Sequence, residues 1–538
     1  MEIWSLRGKK ILIVDDLPDM RTMMRTLVAS LGAEDIHTAK DGDQAMAAMI
    51  IHKFDVVLCD YALGEGRDGQ QVLEEVRHRG LLPYSAIFVM VTAETSTPMV
   101  MGAVEYSPDD YLSKPIPKAT LQTRLRNLLG KKEKLHPILN AMQQHNYTVA
   151  LTQCDYLMER EPASRFELLR LKGELLLTTG AYEKARDLYA GILELRELPW
   201  AMLGLGKALY RLQQYDAAVE VLRRLIDSHP MVVAAYDLLS LALEGQGQLQ
   251  EAQEVTAQAL QRSWKSVSRQ RRYGELAFRN EDYESAEKAF KQALRVGKGS
   301  CLRGPAEFAG LALTMVKRGV PVEAIKTVET MAREFREDTG AQVHVALVGA
   351  QVQQGLGNAA LSQESTKRAV QLFQEHPETV TGDVAMDVAQ LCFQQGDADA
   401  ARDLLRYALR NQHEDAATQQ RVLHLFNEAG LASEGQSFID ATVEEVAEIN
   451  NQGVRLAQEG RLEESISFFE KAARGMPGNV VINLNAAQSL VMFMRKQGAT
   501  RADVQKAELY LGRVRDLDAA NSKYQKLKEL LNQMSVSH

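Results

Sequence analysis

Asp15 and Asp16 follow the run KKILIV, Asp60 closes FDVVLC, Thr92 closes AIFVMV, and Lys114 stands in YLSKP. Gathered in one place, three carboxylates, a hydroxyl and an ammonium would make an acidic pocket with a donor on either side. Clustered carboxylates repel one another and favour a hard divalent cation, and Mg²⁺ suits oxygen ligands together with water and phosphate. A carboxylate beside such a metal can accept a phosphoryl group as an aspartyl-phosphate. Lys114 would then pair with one phosphate oxygen as a point charge, and the Thr92 hydroxyl would donate to another.

The elements needed to gather these residues are legible around them. The three apolar runs KKILIV, FDVVLC and AIFVMV are short and rich in β-branched residues, which predicts buried parallel strands, and YLSKP reads as the end of a further one. In an open α/β sheet, sites are built along the edge formed by the carboxyl ends of the strands. The expectation is therefore a doubly wound α/β domain whose strand ends bring the five positions into one pocket.

This arrangement resembles the receiver domain of bacterial response regulators, a flavodoxin-like fold, over roughly residues 8–130. The resemblance implies that Asp60 is the phosphoacceptor, that Asp16 and Asp60 are metal ligands, and that Asp15 acts largely through water. It also implies the backbone carbonyl of Ala62 as a metal ligand, Lys114 as the phosphate-pairing cation, and Thr92 with Tyr111 as a switch pair. A cis Lys114–Pro115 bond is implied as well, a geometry confined almost entirely to X-Pro. Two stretches depart from the family pattern. DYALGEGRDG has Gly64 where proline is usual and about one extra residue before Asp68–Gly69. VEYSPDD replaces a commoner glycine-containing turn, and its Ser107–Pro108 step should stiffen that turn. Glu94 and Ala62 flank the site where the family tunes phosphoryl lifetime. His37, His52 and His78 show no ligand spacing.

The rest of the chain is bounded by length and charge. A chain of 538 residues holds several domains, or one domain and a long array. Net charge is −8, which gives no bulk electrostatic case for nucleic acid or an anionic membrane. Cys59, Cys154, Cys301 and Cys392 lie far apart and fit reduced thiols rather than a disulfide framework. No signal-peptide core and no membrane-spanning run is visible, so a cytoplasmic protein is expected.

After RNLLGKKEK the strand-like runs stop and helical periodicity takes over. Alanine recurs shortly after each turn at Ala150, Ala185, Ala218, Ala252, Ala286, Ala324, Ala360 and Ala401, roughly every 34 residues. A glycine stands five residues earlier at Gly180, Gly247, Gly319, Gly355 and Gly396. Small residues twelve before include Gly173, Gly206, Ser240 and Gly274, with Tyr189, Leu222 and Phe290 as the large residues that fill the next turn. The pattern is similar to the tetratricopeptide repeat, which implies an all-α superhelical solenoid over 133–538 that ends in SKYQKLKELLNQ as a capping helix. The unit after Ala360 is weak, because Glu364 and Lys367 fall at expected core positions. MRKQGATRADVQ reads as an insertion in the last hairpin. The stretch QRSWKSVSRQRRYGELAFRN reads as a solvated helix face or a basic groove for an acidic peptide.

The two resemblances together imply a phosphorelay component that takes its phosphoryl group from a histidine kinase or phosphotransfer protein and gates binding of an unidentified protein ligand by the repeats. Such a chain is an adaptor, not a DNA-binding regulator and not an enzyme beyond its own phosphorylation and dephosphorylation. A phosphorylation-independent scaffold and a phosphate sink are the alternatives. Dimerisation through the receiver stays open.

Overall fold

The computed structural model describes residues 4–93, 108–518 and 521–535. The chain divides into two compact units, one of Met1–Leu177 with Ala181–Gly310 and one of Thr178–Gly180 with Leu311–His538. The first therefore holds the α/β domain together with the helices that follow it up to Gly310.

Five parallel strands, β1 (Lys10–Val14), β2 (Asp35–Ala39), β3 (Val56–Asp60), β4 (Ile87–Thr92) and β5 (Asp110–Ser113), lie in the order β2-β1-β3-β4-β5. Alternation along the strands separates two cores. Leu12, Val14, Val57, Cys59, Phe88 and Met90 pack on α2 (Gly42–Ile51) and α3 (Gly69–His78). Ile11, Ile13, Val56, Leu58, Val89 and Val91 pack on α1 (Pro18–Ala29) and the long helix Lys118–Lys134. Both faces are covered, which is why the three inner strands β1, β3 and β4 read as nearly unbroken apolar runs, while the edge strands β2 (DIHTA) and β5 (DYLS) do not. Glu94 and Ser107 lie outside the described residues. The KKEK segment belongs to the helix Lys118–Lys134, and the next helix, His136–Gln143, begins after a single αR residue, Leu135.

Helical hairpins make up the remainder of the first unit, and small residues set their approach. A Cβ added at Gly173 or Gly204 would come within 2.4 and 2.3 Å of the Tyr189 ring, and one at Gly206 within 2.7 Å of Leu222. Phe290 fills the same role against Gly274 and Gly310. Ala150, Ala185, Ala218, Ala252 and Ala286 are fully buried, as the repeat spacing predicts. At the turns, Gly247 adopts left-handed backbone with φ of 76°. His145, Gln213 and Glu281 hold the equivalent positions at φ 55°, 58° and 61° without being glycine.

The second unit continues the hairpins, with Ala324 and Ala401 buried. Ala360 does not join them. It is exposed, and Ser362 is buried in its place, followed by Thr366 and Ala369. The turn glycine is correspondingly Gly357 at φ 77°, not Gly355. A two-residue shift in the turn thus puts Glu364 and Lys367 outward, and the weak repeat is an ordinary one read in the wrong phase. The helix Ala432–Gln458 runs 27 residues. Its first half packs Gly435 on Phe426 of the preceding helix, and its second half packs Gly453 on Phe469 of the next. The insertion MRKQGATRADVQ is taken up mostly as helix. It forms the ends of two long helices, Val480–Gln497 and Arg501–Asp518, joined through Gly498 at φ 93°. The last helix, Ser522–Ser535, buries Tyr524, Leu527 and Leu531.

Candidate functional site

Adjacent strand ends bring the acidic residues together. Asp15 follows β1 and Asp60 ends β3, neighbours at the point where the strand order reverses, which is where open α/β sheets place their ligands. Carboxylate oxygens of Asp15, Asp16 and Asp60 all lie within 4.8 Å of one another. Asp15 and Asp60 are buried and Asp16 is half-buried.

Lys114, delivered by the end of β5, joins this group. Its Nζ donates to Asp15 Oδ2 at 2.7 Å and to Asp60 Oδ2 at 2.6 Å. The peptide between Lys114 and Pro115 is cis. Burial works against the Lys114 ammonium, but the hydrogen bonds to Asp15 and Asp60 outweigh it, so its pKa is raised. Burial, with the neighbouring charge of Asp15, also raises the Asp60 carboxyl, opposed by Lys114 and by the Ala62 backbone N–H. Asp15 is further fixed by Oδ1, which accepts from Leu17 N at 2.9 Å.

The loop after β3 is closed at its base. Gly69 N donates to Tyr61 O at 2.8 Å, and Asp68 and Gln71 form a reciprocal capping box at the start of α3. Within it Gly64 and Gly66 take φ of 71° and 99°, which proline cannot adopt. The departure from the family's proline at position 64 is therefore a left-handed turn, and it places Gly64 beside Asp16, where an added Cβ would lie 3.5 Å from Oδ2. Thr92 is buried at the end of β4, and the Lys114 N–H donates to its carbonyl at 2.7 Å. Tyr111 pairs with Met90 across β4 and β5 and packs against the core beneath α2 and α3. Thr92, two residues beyond Met90, shares that face.

The donor set fits a hard divalent cation: oxygen ligands, a net surplus of negative charge, and an open half-buried member in Asp16. His37 and His52 instead meet at a tilt of 50°, with ring centroids 4.9 Å apart, and both pack edge-on against Phe54.

Residues 11–126 match the family model for the response regulator receiver domain, and residues 138–198 and 203–267 match that for the tetratricopeptide repeat. The chemotaxis protein CheY-3 of Vibrio cholerae is 31% identical over 131 residues, 24% of this chain and 99% of that protein. The chain belongs to the response regulator receiver family. A probable transcriptional regulator, ycf27, of Cyanophora paradoxa is 28% identical over 169 residues, 31% of this chain and 68% of its own length. Among solved structures, a receiver domain of a Francisella response regulator matches 23% of this chain and 98% of its own, with 24% identity and a TM-score of 0.21.

One residue near the receiver loop was not assigned a site role from the sequence. Lys265 lies in the basic stretch after Gln261, and its Nζ donates to Tyr61 Oη at 3.1 Å and lies 3.4 Å from Asp68 Oδ2. The other basic side chains there are engaged within the repeats. Arg269 is buried and bidentate on Asp237, Arg271 meets Glu307, and Arg272 and Arg279 share Glu244. Neither a solvated face nor a free basic groove describes this stretch. Only partners some thirty residues away in sequence, a repeat apart, could have revealed that.

Proposed function

We propose that the chain is a phosphorylation-gated adaptor, in which Asp60 accepts a phosphoryl group and the repeats bind another protein. The observation that carries this reading is the Lys114 ammonium bridging Asp15 and Asp60 within the acidic cluster. In the transfer, an Asp60 carboxylate oxygen forms a P–O bond while the P–N bond to the donor histidine breaks, returning a neutral imidazole after protonation. Asp16, Asp60 and the Ala62 carbonyl would hold Mg²⁺, with Asp15 beside them. When bound, the ion neutralises charge developing on the phosphoryl oxygens.

The chain's own residues do the rest. Lys114, already paired with Asp60, is placed to exchange one carboxylate for a phosphoryl oxygen. Thr92 supplies a hydroxyl from the neighbouring strand, and Tyr111 on the same face is placed to follow it inward. A histidine kinase or phosphotransfer protein is the implied donor, and the repeats, whose packed hairpins present extended surfaces, take a protein segment as ligand. The only chemistry assigned is self-phosphorylation and autodephosphorylation. Among the described residues no helix is long and apolar enough to cross a membrane.

The test is uptake of phosphate from a small phosphodonor with Mg²⁺. The chain should gain one acid-stable, base-labile phosphoryl group, and Asp60→Asn should gain none. Uptake that persists in Asp60→Asn would overturn the assignment.

A further inference from the structure

The receiver's resemblance places the switch at Thr92 and Tyr111, and the covalent link runs through the helix Lys118–Lys134. Within the first unit, however, the receiver also meets the repeats at a different place, the loop after β3 and the start of α3. Lys265 spans the base of that loop, since its two partners, Tyr61 and Asp68, are the first and last residues between Asp60 and α3. Gln71 Nε2 donates to the carbonyls of Val296 and Lys298, both at 3.2 Å, and Arg67 Nε donates to Gly299 O at 3.1 Å. These are carbonyls at the end of the helix Tyr283–Val296 and just beyond it, where the helix itself supplies no donors. Ser300 Oγ closes the set on Glu74.

This contact is chemically selective. An ammonium meets a carboxylate and a phenol, and side-chain N–H groups meet the negative end of a helix. Lys265 also stands over the Tyr61 ring, 5.0 Å from its centroid. Burial works against the Lys265 ammonium, but its bond to Tyr61 and the charge of Asp68 raise its pKa, so it stays charged throughout the neutral range. The loop it grips carries Ala62, whose carbonyl is proposed as a metal ligand, and begins at the residue after Asp60.

We propose that the repeat surface from Lys265 to Ser300 is a docking site for the receiver's own β3–α3 loop, and that Lys265 is the positioning residue through which occupancy at Asp60 reaches the repeats. The proposal rests on the phosphoacceptor reading and adds to it a route that passes through α3. A shift of the loop as the acidic site fills alters the geometry of Tyr61 and Asp68 together. Lys265 cannot follow both, so the grip on the helix end at Val296–Ser300 changes with it. Because coupling is reciprocal, loss of the grip also changes how readily the site fills.

Amide hydrogen exchange on the full chain, with and without Mg²⁺ and beryllofluoride, tests this. In the wild type, segments 61–68 and 296–303 should change protection together. In Lys265→Ala, 61–68 should still respond while the response at 296–303 is lost, and Lys265→Arg, which keeps the charge, should retain at least part of it. A wild type in which 61–68 responds and 296–303 does not would overturn the docking route, as would a Lys265→Ala chain that keeps the joint response. Absence of any response at 61–68 in a chain that takes up phosphate at Asp60 would also overturn the docking route, whereas absence of uptake as well would remove the acceptor assignment and this proposal with it.

Discussion

Gly69 packs so tightly on the end of β3 that a methyl group there would lie 2.1 Å from the carbonyl oxygen of Asp60. The start of α3 and the candidate acceptor thus touch through backbone alone. Gly69→Ala should force the strand end aside, with an overpacking cost of about 2 kcal/mol. Phosphoryl uptake should fall by about tenfold or more, as expected for a reacting carboxylate displaced by even a fraction of an ångström. Stability measured by denaturant and uptake from a small phosphodonor would check the two effects separately.

Lys114→Met should leave Asp15 and Asp60 as neighbouring buried carboxylates without their cation. Removing one partner from such a pair costs about 3 kcal/mol or more. Mg²⁺ should recover part of that loss, because it can supply the missing positive charge. Thermal melts with and without the ion should therefore differ more in the variant than in the wild type.

Asp60→Asn should do the reverse. Burial, helped by Asp15, raises the Asp60 pKa above its usual 3.8. Whatever stability this group contributes is thus present below pH 3.8 and lost as pH rises through the raised folded value. At neutral pH a neutral amide should make the metal-free chain more stable than the wild type, and Mg²⁺ should no longer raise its melting temperature appreciably. A variant that melts lower at pH 7 would show that the Asp60 carboxylate stabilises the metal-free fold.

The receiver was legible because its chemistry sits on short, uniform strands whose ends must meet along one edge. The repeats were legible wherever a small residue faced a large one, as Gly173 and Gly453 do with Tyr189 and Phe469. Phase was lost at Ala360 because alanine is tolerated at both the exposed and the buried position. The buried Ser362 carried no apolar signal to correct it. Lys265 was illegible for another reason. Its partners lie about two hundred residues earlier, and no local spacing encodes them.

Gln213 and Glu281 occupy left-handed turns that glycine fills elsewhere in the array. Both are exposed, so their replacement disturbs no core. Gln213→Gly and Glu281→Gly should each stabilise the chain by about 0.5–1 kcal/mol, the left-handed strain relieved less the backbone freedom glycine adds to the unfolded state. Denaturant midpoints of the single variants would measure this.

Cys301 should ionise late. Burial, reinforced by Glu74 and Glu75, pushes its thiol up to about 11. Its alkylation rate should climb about tenfold per pH unit as far as that value, instead of levelling off near the ordinary thiol range of about 8.5. Mass spectrometry of iodoacetamide-treated protein between pH 7 and pH 11 would follow it.

The helix Ala432–Gln458 serves two hairpins in turn, packing on Phe426 near its start and on Phe469 near its end. At 1.5 Å per residue it is a strut of about 40 Å with no hinge inside it. Elsewhere among the described residues of the array a turn separates one hairpin from the next, so each can give way by itself. Here, pulling either hairpin loads the other through the same rod. Stretched from its ends in a force spectrometer, this stretch should rupture in a single long step where its neighbours yield one at a time.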